Sequence, residues 1–309
     1  MTVREAQLYG RSLLTEAPVP SPSPALDVDC FLQSILGCDK TFLLFKRDTI
    51  ITDEQLDTLN SYIHKRQTGL PVAYILGHKE FYGRDFYVTP SVLIPKPDTE
   101  LLVEKAIEVI KSKALIHPSS ILTICDMCTG SGCVGISIMA EVLDNNILPI
   151  EQLPSITLAD INDKALDIAR TNADNLLTPP QKSKLKFVRT NLFDNIGGSF
   201  DLIVSNPPYV PYSTSVELLK DGRSEPLLAL NGDVDNKGNI TGDEDGLGII
   251  RNLIPQSYSH LAPEGVLIVE SGEYNALTTQ DLFIASGFKD TVIFKDLEGQ
   301  LRDTYGIKS

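Results

Sequence analysis

Hydrophobic positions recur with two different periods along this chain, and the change of period divides it. Up to about residue 70 the spacing is helical. After a Pro/Ser-rich turn at residues 18–24, Leu26, Cys30, Phe31, Ile35 and Leu36 recur at helical spacing until Gly37 interrupts them. Thr52 and Gln55 have the spacing of a capping box, and Leu56, Leu59, Tyr62 and Ile63 then share one helical face as far as Gly69 and Pro71. This predicts a small helical domain over residues 1–73. Residues 74–92 are richer in aromatic and β-branched side chains, with Gly77 and Gly83 as turn points, and predict a short hairpin within a linker at 74–97.

Over residues 98–309 strand-like and helix-like segments alternate. Strands are expected at 121–126, 156–160, 185–189, 200–204 and 266–270, helices at 133–143 and 163–177, and a closing hairpin at 291–294 and 304–307. Such alternation predicts an α/β, Rossmann-like domain with a mostly parallel seven-stranded sheet, helices on both faces and a ligand at the carboxyl ends of the strands.

Composition narrows the partners. The formal net charge is -14, with a pI near 4.7, which opposes a phosphate backbone because nucleic-acid affinity depends on Lys and Arg displacing counterions. No run of about 18 apolar residues marks a membrane span, and residues 1–14 mix charge with leucine, so a cytoplasmic protein without membrane attachment is expected. Cys30, Cys38, Cys125, Cys128 and Cys133 form an odd set in a long chain, unlike a secreted disulfide framework. Cys125 and Cys128 make a C-x-x-C pair, but the two further ligands of a zinc site are missing, and no metal is expected.

Two segments carry candidate chemistry. The first expected strand runs into Met127, Cys128, Thr129, Gly130, Ser131 and Gly132 and then a helix, a glycine turn that brings backbone N–H groups close to a ligand at a helix N-terminus. By itself this is either a nucleotide-type loop or an ordinary turn. The next strand ends at Asp160, where a carboxylate can accept the two hydroxyls of a ribose; its bland alternative is a role beside the helix cap of Asn162. A third ends at Thr190, Asn191, Leu192 and Phe193, amide and apolar groups suited to the edge and face of an adenine, or simply a polar loop. The strand at 200–204 leads into Asn206, Pro207, Pro208 and Tyr209, where two prolines stiffen the backbone. An amide nitrogen is a weak nucleophile and must be held in line with an electrophilic methyl at roughly 3 to 3.5 Å. The Asn206 side-chain oxygen and the Pro207 carbonyl can each accept one N–H of a planar NH2 group, and Tyr209 can pack on its flat face. No strong base is evident, and the surplus proton is expected to leave to water.

These residues resemble the HemK/PrmC-like release factor glutamine methyltransferases. Besides NPPY at 206–209, the likeness includes PVAYILG (71–77), EFYG (80–83), IPKPDTE (94–100), EP (225–226), DGL (245–247) and KDL (295–297), and so spans nearly the whole chain. The segment 94–100 discriminates best, because sister enzymes acting on a ribosomal protein differ there. The resemblance implies S-adenosyl-L-methionine as cofactor, a class-1 peptide chain release factor as partner, docked by the helical domain, and methylation of the glutamine in its Gly-Gly-Gln loop. It carries cofactor binding onto Cys128, Thr129, Gly130, Ser131, Gly132, Asp160, Asn191, Leu192 and Asn206. Substrate binding falls on Asn206, Pro207, Pro208 and Tyr209, with Asn206, Pro207 and Tyr209 as the catalytic set. Three positions depart from the family pattern: Cys128 replaces the first loop glycine and is expected to narrow the loop, Asn191 replaces an aspartate, and Lys96 replaces an arginine, giving up a bidentate fork.

Two other functional classes compete. A methyltransferase acting on adenine or guanine amino groups would meet the same planar NH2, and a non-catalytic binding module would keep the fold without turnover. A third feature, Asp233 to Glu244, has acids at positions one, three and twelve and Gly238 at six of a calcium-loop pattern, but Lys237 occupies a ligand position; an acidic insertion without a metal is expected.

Overall fold

A capping box opens the chain. The Thr2 hydroxyl accepts the Glu5 N–H, and the Glu5 carboxylate accepts the Thr2 N–H, starting α1 (Val3–Thr15). Next come α2 (Pro24–Leu36), stopped by Gly37 at φ +60°, α3 (Lys40–Phe45), α4 (Asp53–Gln67), which begins on the anticipated Thr52–Gln55 box, and α5 (Val72–Leu76). Val3, Ala6, Leu14, Val28, Phe31, Leu32, Leu59 and Ile63 form their shared core. Gly10 lets α1 and α2 touch, since a Cβ there would stand 2.9 Å from Val28 Cγ2. Buried Asp27 is paired with Arg66 Nε at 2.7 Å and accepts the Ser21 hydroxyl at 2.6 Å, so the charge is not left unpaired. The computed structural model describes residues 1–117, 120–220, 225–235 and 237–309, and the chain divides into Met1–His78 with Val216–Ser224, and Lys79–Ser215 with Glu225–Ser309.

At the start of the second unit is a two-stranded sheet of β1 (His78–Phe81), whose first residue closes the first unit, and β2 (Arg84–Tyr87), joined by Tyr82 and Gly83 at φ +50° and +71°. Then follow α6 (Glu100–Ile116), β3 (Thr123–Met127), α7 (Cys133–Asp144), β4 (Ser155–Asp160), α8 (Asp163–Leu176), α9 (Pro179–Lys182), β5 (Leu185–Arg189), β6 (Phe200–Ser205) and α10 (Tyr212–Lys220). The chain closes with α11 (Leu227–Leu230), α12 (Gly248–His260), β7 (Leu261–Glu270), α13 (Ala276–Ala285), β8 (Phe288–Lys295) and β9 (Leu301–Lys308).

Seven of these strands form one sheet in the order β5-β4-β3-β6-β7-β9-β8, parallel except where β9 runs against both neighbours. This is the expected Rossmann-like α/β architecture. The inner strands β3, β4, β6 and β7 carry buried apolar runs because both faces are covered. Leu202, Val204, Val266 and Ile268 point into one core with α6 and α7, while Ile203, Leu267 and Val269 point into the other with Leu253 and Ile254 of α12 and Phe283 of α13. The strand order reverses at β3, so the crevice between the loops after β3 and β6 opens at the carboxyl ends of the strands. Among the described residues, no helix is long and apolar enough to cross a membrane.

Candidate active site

The loop after β3 is built from left-handed backbone. Cys128, Gly130 and Gly132 have φ of +63°, +55° and +80°. Glycine meets this demand without strain, which explains a glycine preference at the first of these positions and makes Cys128 costly there. The glycines serve different ends. A Cβ on Gly130 would meet nothing within 4 Å, whereas one on Gly132 would stand 2.7 Å from Ile136 Cδ1 and 3.1 Å from Ala169 Cβ. Gly130 therefore borders open space, and Gly132 seats α7 against α8.

Two carboxylates hold this loop. Asp126, 1% exposed, accepts the Thr129 hydroxyl at 2.6 Å and the Gly135 N–H at 2.9 Å through Oδ2. Burial raises its pKa to about 7, against the opposing pull of those two bonds. Asp160, at the tip of β4, accepts the Gly130 N–H on one oxygen and the Asn162 N–H on the other, both at 2.9 Å. Its pKa is raised by burial, with the backbone bonds opposing. Asp160 supports the turn beside the Asn162 cap, and it also lines the cavity. Burial, and then the charge of Asp160, push the Cys128 thiol upward, so it stays neutral.

The turn after β6 is held by side chains distant in sequence. Asn206 Nδ2 donates to the hydroxyl of Thr99, which is 2% exposed, at 2.9 Å. Tyr209 donates its hydroxyl to Glu270 Oε1 at 3.0 Å, which directs its ring into the core side of the turn. The Tyr209 carbonyl accepts from the Tyr274 hydroxyl and from Asn275 Nδ2, and a Cβ on Gly246 would stand 2.0 Å from that same oxygen. Only glycine fits there, which accounts for the DGL run at 245–247.

Segment 94–100 is a strap across this half of the site. Lys96 Nζ reaches Glu225 Oε1 at 2.8 Å, a single contact where an arginine would offer a fork. Asp98 pairs with Arg302 at 3.1 Å, Thr99 receives Asn206, and Glu100 accepts the Tyr82 N–H at 2.8 Å. Arg302 also pairs with Asp296 at 2.8 Å, which ties in the KDL run.

Behind the turn lies a buried acid pair. Glu270 and Asp303 are register partners on β7 and β9, and are 1% and 0% exposed. Burial raises both; the Thr99 and Tyr209 hydrogen bonds and the Arg302 charge pull Glu270 back down, while the Glu270 charge pushes Asp303 further up. Asp303 is therefore the member that holds a proton first.

A cavity of about 290 Å³ opens above these elements, and its wall includes Cys128, Thr129, Gly130, Ser131, Asp160, Asn191, Leu192, Asn206 and Pro208. Of the other anticipated residues, Gly132 lies behind the loop against Ala169, and Tyr209 is turned toward Glu270. Pro207 sits between Asn206 and Pro208 without contributing to that wall. Leu192 has φ +47°, in a turn closed by the Thr190 hydroxyl, which donates to the Leu192 carbonyl at 2.8 Å. Sequence reasoning passed over Asp126, Thr99 and Glu270. The signal for Glu270 was its place at the carboxyl end of an apolar strand, the same rule that singled out Asp160.

In the acidic insertion the carboxylates accept backbone N–H groups, some of the insertion itself and some of the first turn of α10. Asp233 accepts the Tyr212 and Gly246 N–H groups, Asp235 those of Lys237 and Asn239, and Glu244 that of Ser213, while Asn236 lies outside the described residues. Among the described residues, no three of these carboxylates are grouped as for a shared ion. Val234, Asp235, Lys237 and Gly238 instead line the cavity.

Residues 5–77 match the family described as PrmC N-terminal domain, and residues 112–220 the family described as methyltransferase small domain. The release factor glutamine methyltransferase of Geobacter sulfurreducens is 32% identical over 300 residues, covering 96% of this chain and 94% of that protein. The protein of the same name from Leptospira interrogans is 34% identical over 284 residues, covering 91% and 90%. Among solved structures, the ribosomal protein L11 methylase of Lactobacillus delbrueckii subsp. bulgaricus aligns over 72% of this chain and 84% of its own, with 18% identity and a TM-score of 0.45. At this identity over nearly its full length, the chain belongs to the release factor glutamine methyltransferases.

Proposed function

We propose that this protein transfers a methyl group from S-adenosyl-L-methionine to the side-chain amide nitrogen of the glutamine in the Gly-Gly-Gln motif of a class-1 peptide chain release factor. The observation that carries the reading is the single cavity wall on which Cys128 to Ser131, Asp160, Asn191 and Leu192 meet Asn206 and Pro208. The first group fits the cofactor: Gly130 borders open space, Asp160 keeps acceptor capacity beside its two backbone donors, and Leu192 offers an apolar face. Bound there, the cofactor supplies an electrophilic methyl group.

Asn206 and the Pro207 carbonyl do the positioning. Both accept N–H bonds from a planar NH2, and the two prolines leave the turn little freedom to yield. A carboxylate in place of that amide has no N–H to donate and would leave both acceptors unpaired. The helical unit is the part we assign to docking the release factor, in keeping with its match to the PrmC N-terminal domain.

Mass spectrometry of the cognate release factor after incubation with the protein and S-adenosyl-L-methionine tests this directly. One added methyl on the Gly-Gly-Gln glutamine, and none on a Gly-Gly-Glu variant, is the expected result. Transfer to DNA or RNA with none to the release factor would reverse it.

A further inference from the structure

Pro207 and Pro208 stiffen the turn after β6, but they also deprive it of two backbone N–H donors, so it has little of its own with which to hold on to the fold. Its entry is fixed in the sheet, where Ser205 pairs with Met127 and Val269. Its exit at Tyr209 needs another anchor, because a stiff segment passes any displacement of its end on to the acceptors of Asn206 and Pro207. We propose that Asn275, assisted by Tyr274, is a positioning residue that fixes this exit, an inference that rests on the functional reading above.

Asn275 stands at the N-cap of α13, where an asparagine ordinarily turns its side-chain oxygen to the free N–H groups of the first helical turn. Here it makes no such bond, and among the described residues its buried Oδ1 has no hydrogen-bond partner. Its Nδ2 donates instead to the Tyr209 carbonyl at 3.2 Å and to the Asp245 carbonyl at 3.4 Å. Two carbonyl oxygens can be met only by the NH2 end of an amide, so these contacts themselves settle which way the side chain faces. Tyr274 donates its hydroxyl to the same Tyr209 oxygen at 3.0 Å, from a ring that is 63% exposed. The Tyr209 hydroxyl is bound to Glu270 Oε1 at 3.0 Å, so both ends of this tyrosine are held from residues 270–275. Gly232 closes a further side, since a Cβ there would stand 2.8 Å from Tyr209 Cα. Asn275 thus forgoes helix capping and leaves a buried oxygen unmet, which needs a reason. The reason on the page is that one nitrogen joins the turn after β6 to the run at 245–247 that leads into α12.

Steady-state methylation of intact release factor by wild type, Asn275→Ser, Tyr274→Phe and the double variant tests this, with cofactor affinity and melting temperature measured alongside. Serine can still cap α13 but is shorter than asparagine and carries no NH2, while phenylalanine keeps the exposed ring and loses only the hydroxyl. Each single variant leaves one of the two donors on the Tyr209 oxygen and should lower kcat about two- to fivefold, the scale of one net hydrogen bond. The double variant leaves neither and should lose about a hundredfold, as for loss of a positioned group. That exceeds the product of the single losses, because both donors serve one acceptor. Cofactor affinity should be unchanged throughout, and Asn275→Ser should melt close to wild type because the new cap offsets the lost bond. Wild-type kcat in the double variant, a double loss no greater than the product of the singles, or a loss matched by falling cofactor affinity or melting temperature would overturn the inference while leaving the function intact. A wild-type protein that methylates no release factor would remove the function and the inference together.

Discussion

The two walls of the cavity are made by different means. The wall we assign to the cofactor is a backbone object: three left-handed residues within five positions, clasped by Asp126 from the same strand and by Asp160 from the next. The wall we assign to the substrate is held by side chains. Asn206 is tethered to Thr99, over a hundred positions away, and Tyr209 to Glu270 on β7. A backbone wall tolerates side-chain change so long as φ is satisfied, and this is why Cys128 can stand where glycine is easier. A tethered wall depends on its partners: without the Thr99 hydroxyl, Asn206 Nδ2 loses its bond.

Substitutions that strike one wall only should separate these modes. The largest effect is expected from Asn206→Ala, which removes the clamp itself: turnover should fall by about 10² or more, while calorimetric cofactor affinity stays within about twofold. Near wild-type turnover would show that the wall is not tethered for chemistry. Asp160→Ala strikes the other wall, removing a charged acceptor worth roughly 1.5 to 3 kcal/mol, or about tenfold to a hundredfold in cofactor affinity, with a smaller change in kcat at saturating cofactor.

Gly132→Ala probes the packing beneath the loop. It forces a Cβ to 2.7 Å from Ile136 at φ +80°, and should cost about 1–3 kcal/mol of stability, read by denaturant unfolding. Gly130→Ala has only the φ strain to meet and should cost less.

A pH series sharpens the role of Asp126. Its folded pKa is raised from 3.8 to about 7, so over that window the folded protein keeps a proton that the unfolded chain has released, and stability falls as pH rises. Asp126→Asn cannot titrate, so the melting temperature of wild type should lose ground to it steadily across the window. A difference independent of pH would mean that Asp126 is not strained by burial. The smallest effect is expected for Cys128→Gly, where relief of left-handed strain, about 1–2 kcal/mol, is offset by the greater freedom of glycine in the unfolded chain. Cofactor affinity should rise by no more than a few-fold, and a marked fall would mean that the thiol contributes a contact.

Several elements were legible because their signals are local. The Thr52–Gln55 box starts α4, the expected strand at 185–189 coincides with β5, and the apolar runs at 200–204 and 266–270 lie within β6 and β7. Other signals were present but passed over. Thr2 and Glu5 have the same box spacing, and Leu102, Val103, Ala106, Ile107 and Ile110 mark the buried stripe of α6. Helices α12 and α13 also went unplaced; α12 carries Pro255 within its span, a residue that ordinarily argues against a helix interior.

By itself the sequence determined the alternation of elements, the positions where backbone must turn and the tetrapeptide proposed to meet the substrate, because periodicity, glycine and proline act over a few residues. The tertiary structure alone decided that Thr99, Glu270 and Asp303 stand behind that tetrapeptide, that Tyr209 turns inward and that Val234, Asp235, Lys237 and Gly238 join the cavity wall. These depend on strand order, β9 running beside β7 and the strap at 94–100 crossing the site, and contacts between residues a hundred positions apart leave no periodicity to read.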